Sequence, residues 1–99
     1  MSLHSRNLKL PDQATIDAEA RRILRRMSET DAVLVVSAEM DMAVVLRCKE
    51  DVPVRTGMVT REVAQAFALQ DWISCSKKGR IHQYVITQTG RSALKRLLA

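Results

Sequence analysis

The sequence has few of the residues that build redox or metal centres. Its 99 residues include two cysteines, two histidines, three glycines and two prolines, and aromatic residues make up 3%. Cys48 and Cys75 are too few for a disulfide framework, and together with His4 and His82 they do not show the spacing of a four-ligand metal site. We therefore expect reduced thiols in a cytoplasmic protein that has no metal and no cofactor.

Motifs of catalysis are also missing from the sequence. Gly57, Gly79 and Gly90 are scattered, so they do not form the glycine-rich loop that cradles phosphates. There is no nucleophile elbow, and the carboxylates form no pair that can be assigned to a cleft. We expect that the chain is not an enzyme, and we assign no catalytic residue.

Long apolar runs are absent as well. The longest, 32–36 and 42–46, have five residues each, far fewer than a membrane span requires. Residues 1–10 lack the apolar segment of a signal peptide, so no membrane partner is expected. The length allows one domain, and we predict a flexible arm over 1–11 followed by a single domain over 12–99, which could be a fragment of a longer protein.

Acidic residues are scarce in the second half of the chain. Residues 1–50 contain eight basic and eight acidic residues, whereas residues 51–99 contain eight basic and three acidic ones, which accounts for the formal net charge of +5. No acidic residue follows Asp71. Charge of one sign favours a polyanionic partner, most often nucleic acid, although a basic face that only aids solubility is an equally simple explanation.

Hydrophobic periodicity predicts the elements of the first half. A helix over 11–28 is expected because apolar residues recur at helical spacing behind a capping residue, Asp12 or Thr15. The β-branched runs 32–36 and 43–46 predict an antiparallel hairpin, with a short helix over 38–46 as the alternative. Residues 49–53 are expected to form a polar connection. The apolar stripe of the first helix consists of Ile16, Ala20, Ile23, Leu24 and Met27.

The second half predicts two more helices and a second hairpin. A helix is expected over 55–70, with Val59, Val63 and Phe67 on its apolar face. A strand over 72–75, a basic turn over 76–80 and a return strand over 81–86 follow. Thr87 is predicted to cap a final helix over 88–98. In the predicted strands Trp72 and Tyr84 are expected to pack the sheet, although both could instead stack on single-stranded bases.

The end of this pattern resembles a known domain type. The run Tyr84-x-Ile86-Thr87-x-x-Gly90-Arg91-x-Ala93-Leu94, preceded by Lys77-Lys78-Gly79-Arg80, is similar to the wing and last helix of a winged helix-turn-helix domain, as in bacterial regulators of the multiple-antibiotic-resistance type. The resemblance implies an α+β winged helix with three or four helices, a small antiparallel sheet and a basic wing hairpin. A winged domain normally has a positioning helix before its recognition helix, where this sequence predicts a hairpin.

The whole chain more loosely resembles the amino-terminal region of a bacterial helix-turn-helix family that includes activators of gene-transfer-agent expression. The similarity lies in residues 14–24 and 63–73. It implies RNA polymerase, or another protein, as the partner of a carboxy-terminal region that lies outside this chain.

These patterns predict a sequence-specific DNA-binding domain of a bacterial transcription regulator. The helix over 55–70 would enter the major groove of double-stranded DNA, and a wing over 76–81 would hold the adjacent backbone. The predicted DNA-binding residues are Arg55, Thr56, Thr60, Arg61, Gln65, Lys77, Lys78 and Arg80.

The alternative is a winged-helix protein-interaction module that does not bind DNA. In that case Leu94, Leu97 and Leu98 would form a docking surface or the interface of a homodimer. RNA binding is less favoured, because no RNA-binding motif appears.

Overall fold

The computed structural model describes residues 11–99, which form three helices and one five-stranded antiparallel sheet. The sheet has the strand order β3-β2-β1-β5-β4. The predicted α+β class is confirmed, whereas residues 1–10 of the predicted arm lie outside the described part of the chain. The helices are α1 (Gln13–Met27), α2 (Arg61–Leu69) and α3 (Gln88–Leu98), and the strands are β1 (Ala32–Ser37), β2 (Met42–Lys49), β3 (Val52–Thr60), β4 (Ile73–Lys77) and β5 (Ile81–Ile86).

Helix α1 forms as its sequence pattern predicts. The carboxylate of Asp12 accepts a hydrogen bond from the backbone N–H of Thr15 at 2.9 Å, which satisfies one of the free donors at the helix start. All five residues of the predicted apolar stripe are buried. After Ser28, a turn that ends at Asp31, with φ at 65°, leads the chain into β1.

The hairpin prediction for the first half is confirmed, and the alternative helix over 38–46 is wrong. Residues 49–53, predicted as a polar connection, instead hold a tight turn, because Glu50 and Asp51 both adopt positive φ (52° and 67°) and Lys49 pairs with Val52. Two residues of positive φ are typical of a two-residue hairpin turn. The turn therefore starts a third strand, β3.

The predicted helix over 55–70 is wrong in its first part. Residues 52–60 pair with β2 except at Thr56, where the register shifts, and α2 begins only at Arg61. Val59 is buried and lies four residues before Val63. The two have the spacing of a helix face, although Val59 belongs to β3 and Val63 to α2. A β-carbon on Gly57 would lie 3.2 Å from Cδ1 of Ile23, so this glycine marks where β3 packs closely against α1.

The second hairpin and the last helix are confirmed. Strands β4 and β5 are antiparallel neighbours, and the hydroxyl of Thr87 caps α3 by accepting from the N–H of Gly90 at 2.9 Å. Trp72 and Phe67 lie in the core with ring centroids 5.8 Å apart. Trp72 is therefore a packing residue, as the favoured prediction held, and its ring is not available for stacking on bases.

The three helices pack on one face of the sheet. Alternate strand residues such as Leu34 and Val45 are fully buried beneath them, whereas their neighbours Val35 and Val44 are only partly covered. Helix α2 follows β3 directly, so within residues 11–99 no helix precedes it in the position of a positioning helix. None of the three described helices is both long and apolar enough to cross a membrane.

Candidate nucleic-acid interface

Three segments meet at one end of the sheet. Ser37 pairs with Ile81, and Met42 pairs with Thr60. This register places the β1–β2 turn, the start of α2 and the turn between β4 and β5 at the same end of the sheet, with the β1–β2 turn between the other two. Residues 77–80 of that last turn are called the basic turn below. The sheet therefore brings the predicted wing and the start of α2 to the same end of the sheet, although they lie toward opposite edges.

The basic turn is a compact and uncompensated positive group. Lys77, Lys78 and Arg80 are all exposed, and none of them pairs with a carboxylate of residues 11–99. The hydroxyl of Ser76 donates to the carbonyl of Gln83 at 3.3 Å and ties the two strands together below the turn. Three cations are thus held on a hairpin at the edge of the sheet, where a phosphate backbone could reach them.

Arg61 is used to hold the β1–β2 turn. Its guanidinium donates to the carbonyl oxygens of Ala38 and Met40, each at 3.0 Å, and its backbone N–H donates to the carbonyl of Asp41 at 3.0 Å. These contacts satisfy carbonyls that have no partner in the strand ladder. We therefore assign Arg61 to positioning the start of α2 against this turn.

Helix α2 presents few polar groups to solvent. The hydroxyl of Thr60 caps the helix by accepting from the N–H of Val63 at 3.3 Å. Ala64, which precedes Gln65, is buried. The exposed side chains are Glu62, Gln65 and Leu69, so Gln65 is the predicted binding residue on this helix that is free to contact a base edge. The carboxylate of Glu62, three residues before Gln65, would repel a DNA phosphate that came close to this helix.

Arg55 and Thr56 are not part of a recognition helix, in contrast to the prediction. Both lie on β3, at the opposite edge of the sheet from β4 and about 19 Å away across four strand spacings. Thr56 sits at an irregularity in the pairing of β2 and β3, and its hydroxyl is buried without a hydrogen-bond partner among the described residues. These two residues therefore do not join the surface formed by the basic turn.

A cleft separates α2 from the second hairpin. It measures about 250 Å³ and is lined by Gln65 and Arg61 on one side and by Tyr84 and Val36 on the other. The rings of Tyr84 and His82 lie edge to face with centroids 6.5 Å apart. The cleft combines hydrogen-bonding groups with an aromatic wall, close to the basic turn.

A second group of cations is formed by α1 and α3, which pack against each other. Nε of Arg21 donates to the carbonyl of Leu97 at 3.2 Å and joins the two helices. Glu19 and Glu29 pair with Arg22 and Arg26. On these two helices, the exposed cations that have no carboxylate partner in residues 11–99 are Arg21, Arg25, Arg91, Lys95 and Arg96. The sequence shows these residues, but their grouping depends on the contact between the two helices.

Within residues 11–99, no three His, Cys, Asp or Glu side chains are placed so that they could hold a metal ion. Comparison of the chain with protein-family models, with curated proteins and with solved structures finds no match. The assignment of a function therefore rests on the charge and geometry of the chain itself.

Proposed function

We propose that the chain is a DNA-binding domain of a bacterial transcription regulator, related to the winged-helix type, and that it binds double-stranded DNA through the basic turn. The supporting observation is the placement of Lys77, Lys78 and Arg80. They are exposed, they have no carboxylate partner among the described residues, and they lie on a hairpin at the edge of the sheet. The resemblance of residues 84–94 to the end of a wing supports the same proposal.

The binding mode differs from major-groove docking of a long helix. Cations on the basic turn neutralise phosphates and release counterions, which supplies affinity without reading sequence. Gln65 is the residue of α2 that can form a bidentate contact with an adenine edge. Thr60 and Arg61 act indirectly, because they hold the start of α2 and the neighbouring turn in place.

The proposal is tested by fluorescence anisotropy with a labelled mixed-sequence duplex at several salt concentrations. The variant K77Q/K78Q/R80Q should weaken binding to all sequences. If all three cations contact phosphates, the slope of log affinity against log salt should fall by about 2.7, since each phosphate contact contributes roughly 0.9.

A matched control separates a binding site from a general effect of net charge. The variant R25Q/K95Q/R96Q removes the same number of charges from the exposed surfaces of α1 and α3. It should reduce affinity and salt slope much less than the variant of the basic turn. Equal losses in both variants, or no binding by the wild-type protein at low salt, would overturn the proposal.

Base recognition needs a separate measurement. Gln65→Ala should change the sequences that are enriched from a random DNA library while it leaves the salt slope unchanged. An unchanged preference would remove α2 from the interface and leave the basic turn as a sequence-independent contact.

The alternative, a protein-interaction module docking through α3, is less well supported by the structure. Leu94 is buried in the core, Leu97 packs against the core, and Leu98 is half exposed. Helix α3 therefore does not present the apolar face that this alternative requires. The contact with RNA polymerase implied by the resemblance stays a prediction.

A further inference from the structure

The face of the sheet opposite the helices is largely apolar, and residues 11–99 leave it uncovered. Val35 pairs with Val44, which pairs with Met58, so one row of apolar side chains crosses three strands. Val33 and Leu46 form the next row. Met58 and Ile81 are 37% and 47% exposed. This face, called the open face below, also carries the polar residues Ser37, Gln83 and Arg55. Its apolar side chains are Val33, Val35, Met42, Val44, Leu46, Met58, Ile81 and Val85.

The composition of β1 and β2 indicates that the open face is normally covered. A sheet with one solvated face alternates apolar and polar residues along each strand. Here residues 32–36 and 42–46 are apolar without interruption, a pattern typical of strands that are buried on both faces. The helices cover only one of the two faces, so the sequence carries the pattern for a second layer that the described residues do not supply.

Two opposite charges lie at the edges of the open face. Glu39 and Arg55 line the same groove, about 470 Å³ in volume, together with Val44 and Leu46. Both are exposed, and neither forms an ion pair with another residue of 11–99. Glu39 follows β1 at the end where β2 begins, whereas Arg55 lies opposite Leu46, nearer the other end of the strands.

We propose that the open face is the interface of a homodimer in which two sheets pack face to face. A two-fold axis that lies between the sheets and runs across the strands places opposite strand ends against each other. Glu39 of one copy then approaches Arg55 of the other, and the symmetry forms this pair twice. Met42 and Met58 lie within the interface, where their flexible side chains can fill gaps between the two layers.

The size of the open face sets the expected strength of the dimer. Four strands of about six residues cover roughly 15 Å by 20 Å, given strand spacings near 4.8 Å and a rise of about 3.3 Å per residue. This is about 300 Å² per copy, or about 600 Å² in the dimer, which is less than the roughly 1,000 Å² of a stable specific interface and fits a weak association. The dimer is therefore expected to dissociate reversibly on dilution.

Sedimentation equilibrium over a concentration series, without DNA, tests the proposal by exchanging the charges. In Arg55→Glu and in Glu39→Lys, each homodimer would place like charges together at both positions, so self-association should weaken about tenfold or more. An equimolar mixture of the two variants should associate again, because the mixed dimer restores one original pair and forms one exchanged pair. Failure of the mixture to associate would overturn the proposed orientation.

A second pair of variants tests the apolar surface. Val44→Lys places two like charges at the centre of the interface and should make the protein monomeric at all concentrations measured. Leu69→Lys is the matched control, because Leu69 is 71% exposed on α2 and lies on the helical side of the molecule. Circular dichroism checks that both variants are folded.

The remaining outcomes overturn the homodimer. The homodimer is overturned if the wild-type protein stays monomeric at every concentration, for instance because residues 1–10 cover the open face of their own chain. It is also overturned if Val44→Lys and Leu69→Lys self-associate equally strongly. Because these measurements contain no DNA, their failure leaves the proposed DNA binding to be decided by the salt titration.

Discussion

A methyl group on Gly90 would overlap the carbonyl oxygen of Trp72, because the first turn of α3 lies directly against the residue before β4. The same carbonyl accepts the N–H of Thr87 at 3.0 Å. The hydroxyl of Thr87 in turn donates to the carbonyl of Asp71 and accepts from the N–H of Gly90. These contacts attach α3 to the base of the hairpin that carries the basic turn, which gives the Thr-x-x-Gly pattern a structural role.

Gly90→Ala should destabilise the fold. The new β-carbon meets backbone and the side chain of Ile86, so helix α3 or the chain at Trp72 has to move, at a cost of about 1–3 kcal/mol. The free energy of unfolding in urea measures the loss. Ser92→Ala, at an exposed position of the same helix, is the control and should change stability little. Equal stability of the two variants would show that the close contact between Gly90 and Trp72 does not restrict the residue at position 90.

Thr87→Ala should weaken the start of α3 through loss of its cap. Removing a capping hydroxyl typically costs about 1 kcal/mol, and the carbonyl of Asp71 loses its donor as well. Thr87→Ser keeps the hydroxyl and should retain most of the stability in thermal unfolding. If the serine variant were as unstable as the alanine variant, the methyl group rather than the hydroxyl would be responsible.

Arg61→Ala should release the β1–β2 turn. The variant loses hydrogen bonds to the carbonyls of Ala38 and Met40, with an expected cost of about 1–2 kcal/mol. Hydrogen exchange should increase at the amide of Met40, which donates to the carbonyl of Ser37. Exchange in α3, on the other side of the domain, is the internal control. A variant with full stability but altered DNA preference would instead support the prediction that Arg61 contacts DNA.

Asp12 should make the stability of the fold depend on pH in the acidic range. The hydrogen bond from the backbone N–H of Thr15 lowers the pKa of this carboxyl below its ordinary value of 3.8. The contribution is therefore fully present above 3.8 and is lost as the pH falls from there through the lowered pKa. Thermal unfolding of Asp12→Asn should lack this part of the dependence, because the amide caps the helix without titrating. Parallel curves for variant and wild type would contradict the assignment.

Local patterns were sufficient for the elements whose signals lie close together in the chain. The stripe of α1 predicted its buried face, and Thr87 predicted the start of α3, because capping and helical spacing involve residues only three or four positions apart. The hairpin β4–β5 followed from two β-branched or aromatic strands around a glycine turn. These predictions depend on neighbours along the chain, which the sequence shows directly.

Residues 52–60 show where such reasoning fails. Val59 and Val63 have helical spacing, but residues 52–60 form a strand that ends at Thr60, because they pair with β2. The misassigned roles of Arg55 and Thr56 follow from that single error, since both were placed on a helix face. For Arg61, no local signal shows that a turn more than twenty residues away supplies its hydrogen-bond acceptors.

The sequence by itself determined that this is an α+β chain with an acid-poor second half, an exposed basic turn and two strands that are apolar on both faces. Only the tertiary structure decided the strand order, through the pairing of β1 with the distant β5. That pairing brings the basic turn to the same end of the sheet as the start of α2 and places Arg55 at the opposite edge, and within residues 11–99 one face of the sheet stays open. The reason is physical: side-chain patterns report which surfaces must be buried, whereas contacts between distant segments decide which surfaces meet.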